Sequence, residues 1–224
     1  MAEMLGEKPI LKYFDLSKIH GLAGRGGEVR FFMMVNGIPY EEETVSFEEW
    51  PAGAKQAAIK AGETPTGHLP VVKLGGCNLI ERFSIMRMLS RKTGIYGSDI
   101  DRDYLVDMVA DTTEEFRQAC LKSAFGAAED KERYLTAPDQ RKFYYNLANH
   151  HISHCKGSGS HVVGGSSSFA DAVLFAMMWD DLAVHGEDQE LMAANPLVAS
   201  FYRAFLEQEP VKAWCKNSRP DMVA

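Results

Sequence analysis

Residues 66–83, TGHLPVVKLGGCNLIERF, decide how the first half of this chain is read. A proline sits directly before an apolar run. The run ends in a glycine pair, a second short apolar stretch follows, and a Glu-Arg pair comes next. PVVKL (70–74) and CNLI (77–80) read as two strands joined by Gly75-Gly76, because the tight turns of hairpins need positive φ at their centre. Residues 81–94, ERFSIMRMLSRKTG, read as a helix with Phe83, Met86 and Leu89 on one face and Gly94 as its stop. The stretch therefore predicts strand, hairpin, strand, helix.

The segments before it supply the rest of a sheet. PILKYFD (9–15) is a short apolar and aromatic run suited to a strand, and LSKIHGLAGRGG reads as a glycine-rich loop. EVRFFMMVNG follows as a helix ended by Asn36-Gly37, and IPYEEETVSF as a second strand. Residues 48–67 are small, polar and broken by prolines, with room for one short helix. A β-α-β unit followed by a β-β-α unit makes one mixed four-stranded sheet with helices packed on it. That is a thioredoxin-like layout without the redox cysteines.

From residue 101 the pattern changes. Residues 101–125 and 139–155 are long helical segments, and GSGSHVVGGSSS (157–168) reads as a loop. Residues 168–186 begin at a capping box, Ser168 with Asp171 three residues later, and are apolar nearly all round, which suits a central buried helix. The predicted organisation is an α/β thioredoxin-like domain over 1–92, a linker, and an all-α domain over 101–224.

Composition narrows the function classes. The 224 residues carry 24 Lys and Arg against 31 Asp and Glu, a net charge of −7, and no basic cluster of the kind nucleic-acid binders show. The N-terminus has no apolar core of a secretory signal. The longest fully apolar run is 172–179, far short of the ~20 residues that span a bilayer. Cys77, Cys120, Cys155 and Cys215 are widely spaced, which in a chain of this length suits reduced thiols in the cytoplasm.

Several local features carry chemistry. X-Pro bonds are cis in about one case in twenty, and the layout raises that share for Leu69-Pro70; the residues leave both isomers open. A cis bond turns the Leu69 N–H and C=O outward to pair with an extended peptide. The start of the helix after Ile80 is an anion site, and Glu81 beside it suits an ammonium group. A ligand with a carboxylate, an ammonium and a peptide backbone fits this edge, and glutathione is such a molecule; the plainer reading of Glu81 is a favourable first-turn charge. GLAGRGGEVR fails the dinucleotide pattern, since Val29 takes the place of the third glycine, and lacks a P-loop. His150, His151 and His154 have zinc-compatible helical spacing but no acidic partner, so a solvated face is the plainer reading. Taken alone, Tyr13 is an ordinary core or edge tyrosine.

The segments KYFD, GRGGEVRFFMMVNGIPYEEETV, TGHLPVVKL, LIERFSIMRML, SSSFADAVLF and PVKAWCKNSRP occur in the order seen in cytosolic glutathione transferases. The chain resembles the tyrosine-type classes, the sigma-like ones in particular, over nearly its whole length. The resemblance implies that Tyr13 is catalytic, its hydroxyl donating to the glutathione sulfur and favouring thiolate. It implies that Phe14 and Arg25 border the electrophile and the sulfur, and that Trp50 and Lys55 hold the glycyl carboxylate. Leu69, with Pro70 behind it, pairs with the cysteinyl backbone. Glu81 and Arg82 grip the γ-glutamyl end, and Asp107 reaches the γ-glutamyl ammonium across a homodimer interface. No cofactor or metal is implied; glutathione is the co-substrate and a small apolar electrophile the second substrate. Three departures stand out. The loop 15–24 is long, which leaves the match of Arg25 open; Arg82 replaces a serine, so that it either strengthens or crowds the carboxylate site; and His68 replaces Lys or Gln. A glutathione-dependent isomerase or peroxidase, or a non-catalytic homologue of the lens-crystallin kind, are the alternatives.

Overall fold

The structure, a computed structural model, describes residues 2–16, 19 and 21–223. A short helix α1 (Ala2–Leu5) precedes β1 (Ile10–Phe14), α2 (Gly24–Val35) and β2 (Glu41–Val45). A wide helical turn over Trp50–Ala54 leads into α3 (Lys55–Lys60), and then come β3 (Val71–Leu74), β4 (Cys77–Ile80) and α4 (Arg82–Lys92). The strands form one sheet in the order β2-β1-β3-β4, with β1 parallel to β2 and antiparallel to β3. This is the mixed sheet expected. Alternation along β1 buries Leu11 and Tyr13 on one face. It turns Lys12 to the other, where Glu43 (2.8 Å) and Glu63 (3.0 Å) hold its ammonium.

One expectation fails at the start of α2. The glycine-rich run was expected to be loop through Gly27, yet the helix begins at Gly24. Glycine in a helix interior costs about 1 kcal/mol relative to alanine. Tertiary contacts override that preference: a Cβ at Gly26 would overlap the Tyr13 ring. The helix N-terminus has no side-chain cap of its own. Asp180, more than 150 residues away, accepts from Ala23 N–H (2.6 Å) and Gly24 N–H (3.0 Å) instead.

The second half is helical: α5 (Ile100–Phe125), α6 (Ala128–Thr136), α7 (Arg141–His154), α8 (Phe169–His185), α9 (Gln189–Ala194), α10 (Pro196–Leu206) and α11 (Glu209–Ser218). Two short strands, β5 (Lys156–Ser158) and β6 (His161–Val163), form a hairpin where a loop was expected. Asp171 explains its docking, since one carboxylate oxygen accepts from Ser168 N–H (2.7 Å) at the start of α8 and the other from Val162 N–H (2.6 Å) in β6. The expected central helix is α8, buried without a break from Phe169 to Leu182 and packed on α2 and α5. Asp181, fully buried in it, is compensated by Arg141 Nε (2.9 Å) and the hydroxyls of Tyr134 (2.6 Å) and Tyr145 (2.9 Å). Among the described residues no helix is long and apolar enough to cross a membrane.

Candidate active site

Two cavities meet where β1 ends. The first, of about 490 Å³, is polar and lies along the edge predicted from residues 66–83. The Leu69-Pro70 peptide bond is cis. The Thr64 hydroxyl clasps the preceding turn, accepting from His68 N–H (3.2 Å) and donating to His68 C=O (2.8 Å). Leu69 lines the cavity just outside the ladder, whose register with β1 begins at Val71, and its backbone groups are unpaired among the described residues. Lys55 crosses Gly67 so closely that a Cβ there would strike its side chain, which keeps the ammonium at the cavity wall beside Trp50. Glu81 occupies the N-cap of α4 with φ +62°. A non-glycine residue in that region costs about 1–3 kcal/mol and such residues concentrate at ligand sites. No side chain caps α4, so the N–H groups of its first turn open toward the cavity.

The second cavity, of about 460 Å³, is almost wholly apolar. Leu16, Ile19 and Leu22 from the long loop form one wall, and Leu121, Phe125, Met177 and Val184 from α5 and α8 form the other. Of this loop, Ser17, Lys18 and His20 lie outside the described residues. Tyr13 lines this cavity, and Phe14 and Arg25 line both. Phe14 is held by stacking on Phe47 (4.4 Å between centroids) and an edge contact with Trp50 (5.9 Å). The Tyr13 hydroxyl accepts a hydrogen bond from Arg25 N–H (3.0 Å), leaving its own proton free to donate. Burial pushes the Tyr13 phenol above its ordinary pKa, opposed by Arg117 and the backbone N–H groups of Gly26 and Arg25. At neutral pH the hydroxyl is therefore a protonated donor and not a base.

A continuous chain of ion pairs runs beneath the two cavities. Arg25 bonds Glu114 (2.8 Å), and Glu114 also takes Arg82; Arg82 reaches Glu28. Glu28 takes Arg117 (2.7 Å), and Arg117 takes Asp180 (2.6 Å). Arg82 lines the polar cavity, and its guanidinium is paired with two carboxylates of the chain itself. Burial, helped by the nearby Glu114 charge, pushes the fully buried Glu28 carboxyl up, with Arg117 and Arg82 pulling it back. Glu114 is less buried, and Arg25 and Arg82 outweigh burial to hold it below the usual carboxylate range.

Eight of the residues singled out from the sequence line the polar cavity together: Phe14, Arg25, Trp50, Lys55, Leu69, Pro70, Glu81 and Arg82. Asp107, expected to act across a homodimer interface, lines neither cavity of its own chain. Its two oxygens are taken by Arg87 Nε (2.8 Å) and the Tyr96 hydroxyl (2.6 Å) within the same chain. The α5 carboxylate that does reach the polar cavity is Glu114, two helical turns further on. Glu28, Glu114, Arg117 and Asp180 were not singled out from the sequence. The one available signal was the spacing Glu114, Arg117, Leu121, Ala124 along one face of α5. The histidine group is only partly a solvated face: His151 is buried and its Nε2 lies 3.1 Å from the Thr112 hydroxyl. Trp214 does not border the apolar cavity; it packs edge-on against Phe31 (5.0 Å) and Trp179 (6.1 Å).

Comparison with known proteins agrees with this architecture. Residues 110–218 match the family described as glutathione S-transferase, C-terminal domain. The chain is 31% identical over 198 residues to glutathione S-transferase P of Pongo abelii, covering 85% of this chain and 86% of the relative. Among solved structures, the Pi-class glutathione S-transferase of Onchocerca volvulus aligns with a TM-score of 0.79 at 18% identity, over 96% of each chain. Prostaglandin synthase D of Nilaparvata lugens aligns with a TM-score of 0.72 at 24% identity, over 93% of this chain and 97% of that one. The named relatives do not single out the sigma-like classes. A thioredoxin-like sheet region, a helical second half and a relative matched at this level over most of both lengths place the chain in the glutathione S-transferase family.

Proposed function

We propose that this protein is a glutathione transferase in which Tyr13 donates a hydrogen bond to the glutathione sulfur and favours its thiolate. The observation that carries this reading is the junction itself: a protonated Tyr13 hydroxyl, anchored from behind by Arg25 N–H, lies where a polar and an apolar cavity share Phe14 and Arg25. Glutathione in the polar cavity would pair its cysteinyl backbone with Leu69. Its glycyl carboxylate would meet Lys55 and Trp50. Its γ-glutamyl carboxylate would meet the open first turn of α4, and its ammonium Glu81 and Glu114. The Arg82 side chain acts indirectly, keeping Glu28 and Glu114 compensated.

A free thiol near pKa 8.5 is only a few per cent ionised at pH 7. A donor aimed at sulfur stabilises the thiolate, which then attacks an electrophilic carbon in the apolar cavity and expels the leaving group or adds across a conjugated bond. The loop residues Leu16, Ile19 and Leu22 set the shape available to that electrophile. The two-domain division at 1–92 and 101–224, a cytoplasmic location and a homodimer belong to the same reading. Large apolar side chains left exposed on α4 and α5, Met88, Ile100 and Tyr104, support the homodimer.

The test is the ultraviolet difference spectrum of bound glutathione against pH, in the wild type and in Tyr13→Phe. The wild type should show a thiolate band titrating well below the free thiol, and the variant should move it up by about 1–2 units, the worth of one hydrogen bond to a charged group. Glutathione binding with no thiolate band would overturn the assignment of Tyr13.

A further inference from the structure

The N-terminus of α2 shares its open N–H groups between two acceptors. Asp180 takes those of Ala23 and Gly24, and the Tyr13 hydroxyl takes that of Arg25, the next residue. Where Asp180 sits therefore decides where Arg25 N–H points. Asp180 is itself fixed by Arg117 Nη1 (2.6 Å), and Arg117 by Glu28 through Nε (2.7 Å). Arg117 is 2% exposed, and its Nη2 has no hydrogen-bond partner among the described residues. Arg117, Asp180 and Tyr13 line the same cavity.

We propose that Arg117 and Asp180 are positioning residues for Tyr13: Asp180 pins the helix terminus that holds the phenol oxygen, and the opposed charges of the pair set how strongly the hydroxyl donates. A hydroxyl oxygen that accepts an N–H is a better donor through its own proton, because the two bonds polarise each other. A positive charge beside it strengthens the donor and a negative charge weakens it. Burial raises the Tyr13 pKa most; Arg117 opposes that rise and Asp180 adds to it. Among the described residues, the other charged and titratable groups facing this corner are Arg25, Glu28 and Arg30 of α2, Arg82 of α4, and Glu114 and Cys120 of α5. Of these groups only Glu28 is bonded to Arg117, so Arg117→Met also leaves Glu28 with Arg82 alone, while Arg117→Lys keeps a positive charge there. The catalytic consequence rests on the proposed transferase reading; the action on Tyr13 does not.

The experiment therefore reads Tyr13 first. Tyr13 is replaced by 3,5-difluorotyrosine, whose phenol titrates near neutrality, and its titration is followed by fluorine NMR without glutathione. Arg117→Met should raise this pKa by about one unit, and Asp180→Asn should lower it by a similar amount. Arg117→Lys, which keeps the charge and the better chance of folding, should lie closer to the wild type than Arg117→Met. The thiolate titration of bound glutathione should then move in the same two directions. A purely structural pair would loosen the α2 terminus in both variants, so shifts of the same sign, or no shift, would overturn the proposal. Opposite shifts at Tyr13 with no thiolate band in any variant would uphold the proposal and remove the transferase reading instead.

Discussion

Replacing Arg82 by methionine should destabilise the protein in a pH-dependent way. Arg82 lies between two carboxylates, and the one that matters most is Glu28, which is fully buried. Breaking a buried ion pair by removing one partner costs about 3–5 kcal/mol, because a charge is left uncompensated. Here Arg117 remains bonded to the other Glu28 oxygen at 2.7 Å, and methionine refills part of the volume. The expected loss is therefore somewhat smaller, roughly 2–3 kcal/mol at pH 8. At this chain length each kcal/mol moves the melting temperature by about 2–4 °C, so the drop should be roughly 5–10 °C. Glu28 already titrates above its ordinary value because burial outweighs its arginines. Without Arg82 it should rise further. A carboxyl raised in the folded state takes up its proton before the unfolded chain does. Its penalty is then fully present above the folded pKa and fades as pH falls through it. The deficit of the variant against wild type, read from urea midpoints, should thus be largest at pH 8 and shrink toward pH 5. Adding Glu28→Gln should recover part of the loss at pH 8. A deficit of equal size at both pH values would refute Glu28 ionisation as the cause.

Two further outcomes follow from the same geometry. Lys55→Ala removes the cation at the glycyl end of the polar cavity, and steady-state kinetics should show KM for glutathione raised about tenfold with kcat within about twofold, as befits a charge-assisted contact made equally in ground and transition states; an unchanged KM would remove Lys55 from the site. Asp171→Ala strips two buried N–H groups, those of Ser168 and Val162, of their acceptor. Thermal melts should show a loss of about 2–4 kcal/mol, with less lost in Asp171→Asn.

How far the sequence could be read depended on the range of the interaction involved. The hairpin at Gly75-Gly76, the face of α4 and the capping box before α8 rest on residues within a few positions of each other, and all three are present. The start of α2 did not follow local preference, because Asp180 and the Tyr13 ring, neither of them adjacent in sequence, make four residues containing three glycines helical. The β5–β6 hairpin likewise depends on Asp171 reaching back to Val162.

The site divides along the same line. The sequence by itself pointed to the edge from Leu69 to Arg82, together with Tyr13, Phe14, Trp50 and Lys55, because short motifs and a family resemblance carry them, and these residues line the two cavities. The tertiary structure alone decided which charges compensate which. Glu28 meets Arg117 across 89 positions, and Asp180 meets Arg117 across 63, separations that leave no local pattern to read. Asp107 and Glu114 show the same division within one helix. Seven residues are almost two whole turns, so Asp107 and Glu114 share a face of α5 while lying about 10 Å apart along its axis. Periodicity fixes the angle at which a side chain leaves a helix, but its height against a cavity is set by how the helix packs, and that is why Glu114 lines the polar cavity of its own chain and Asp107 does not.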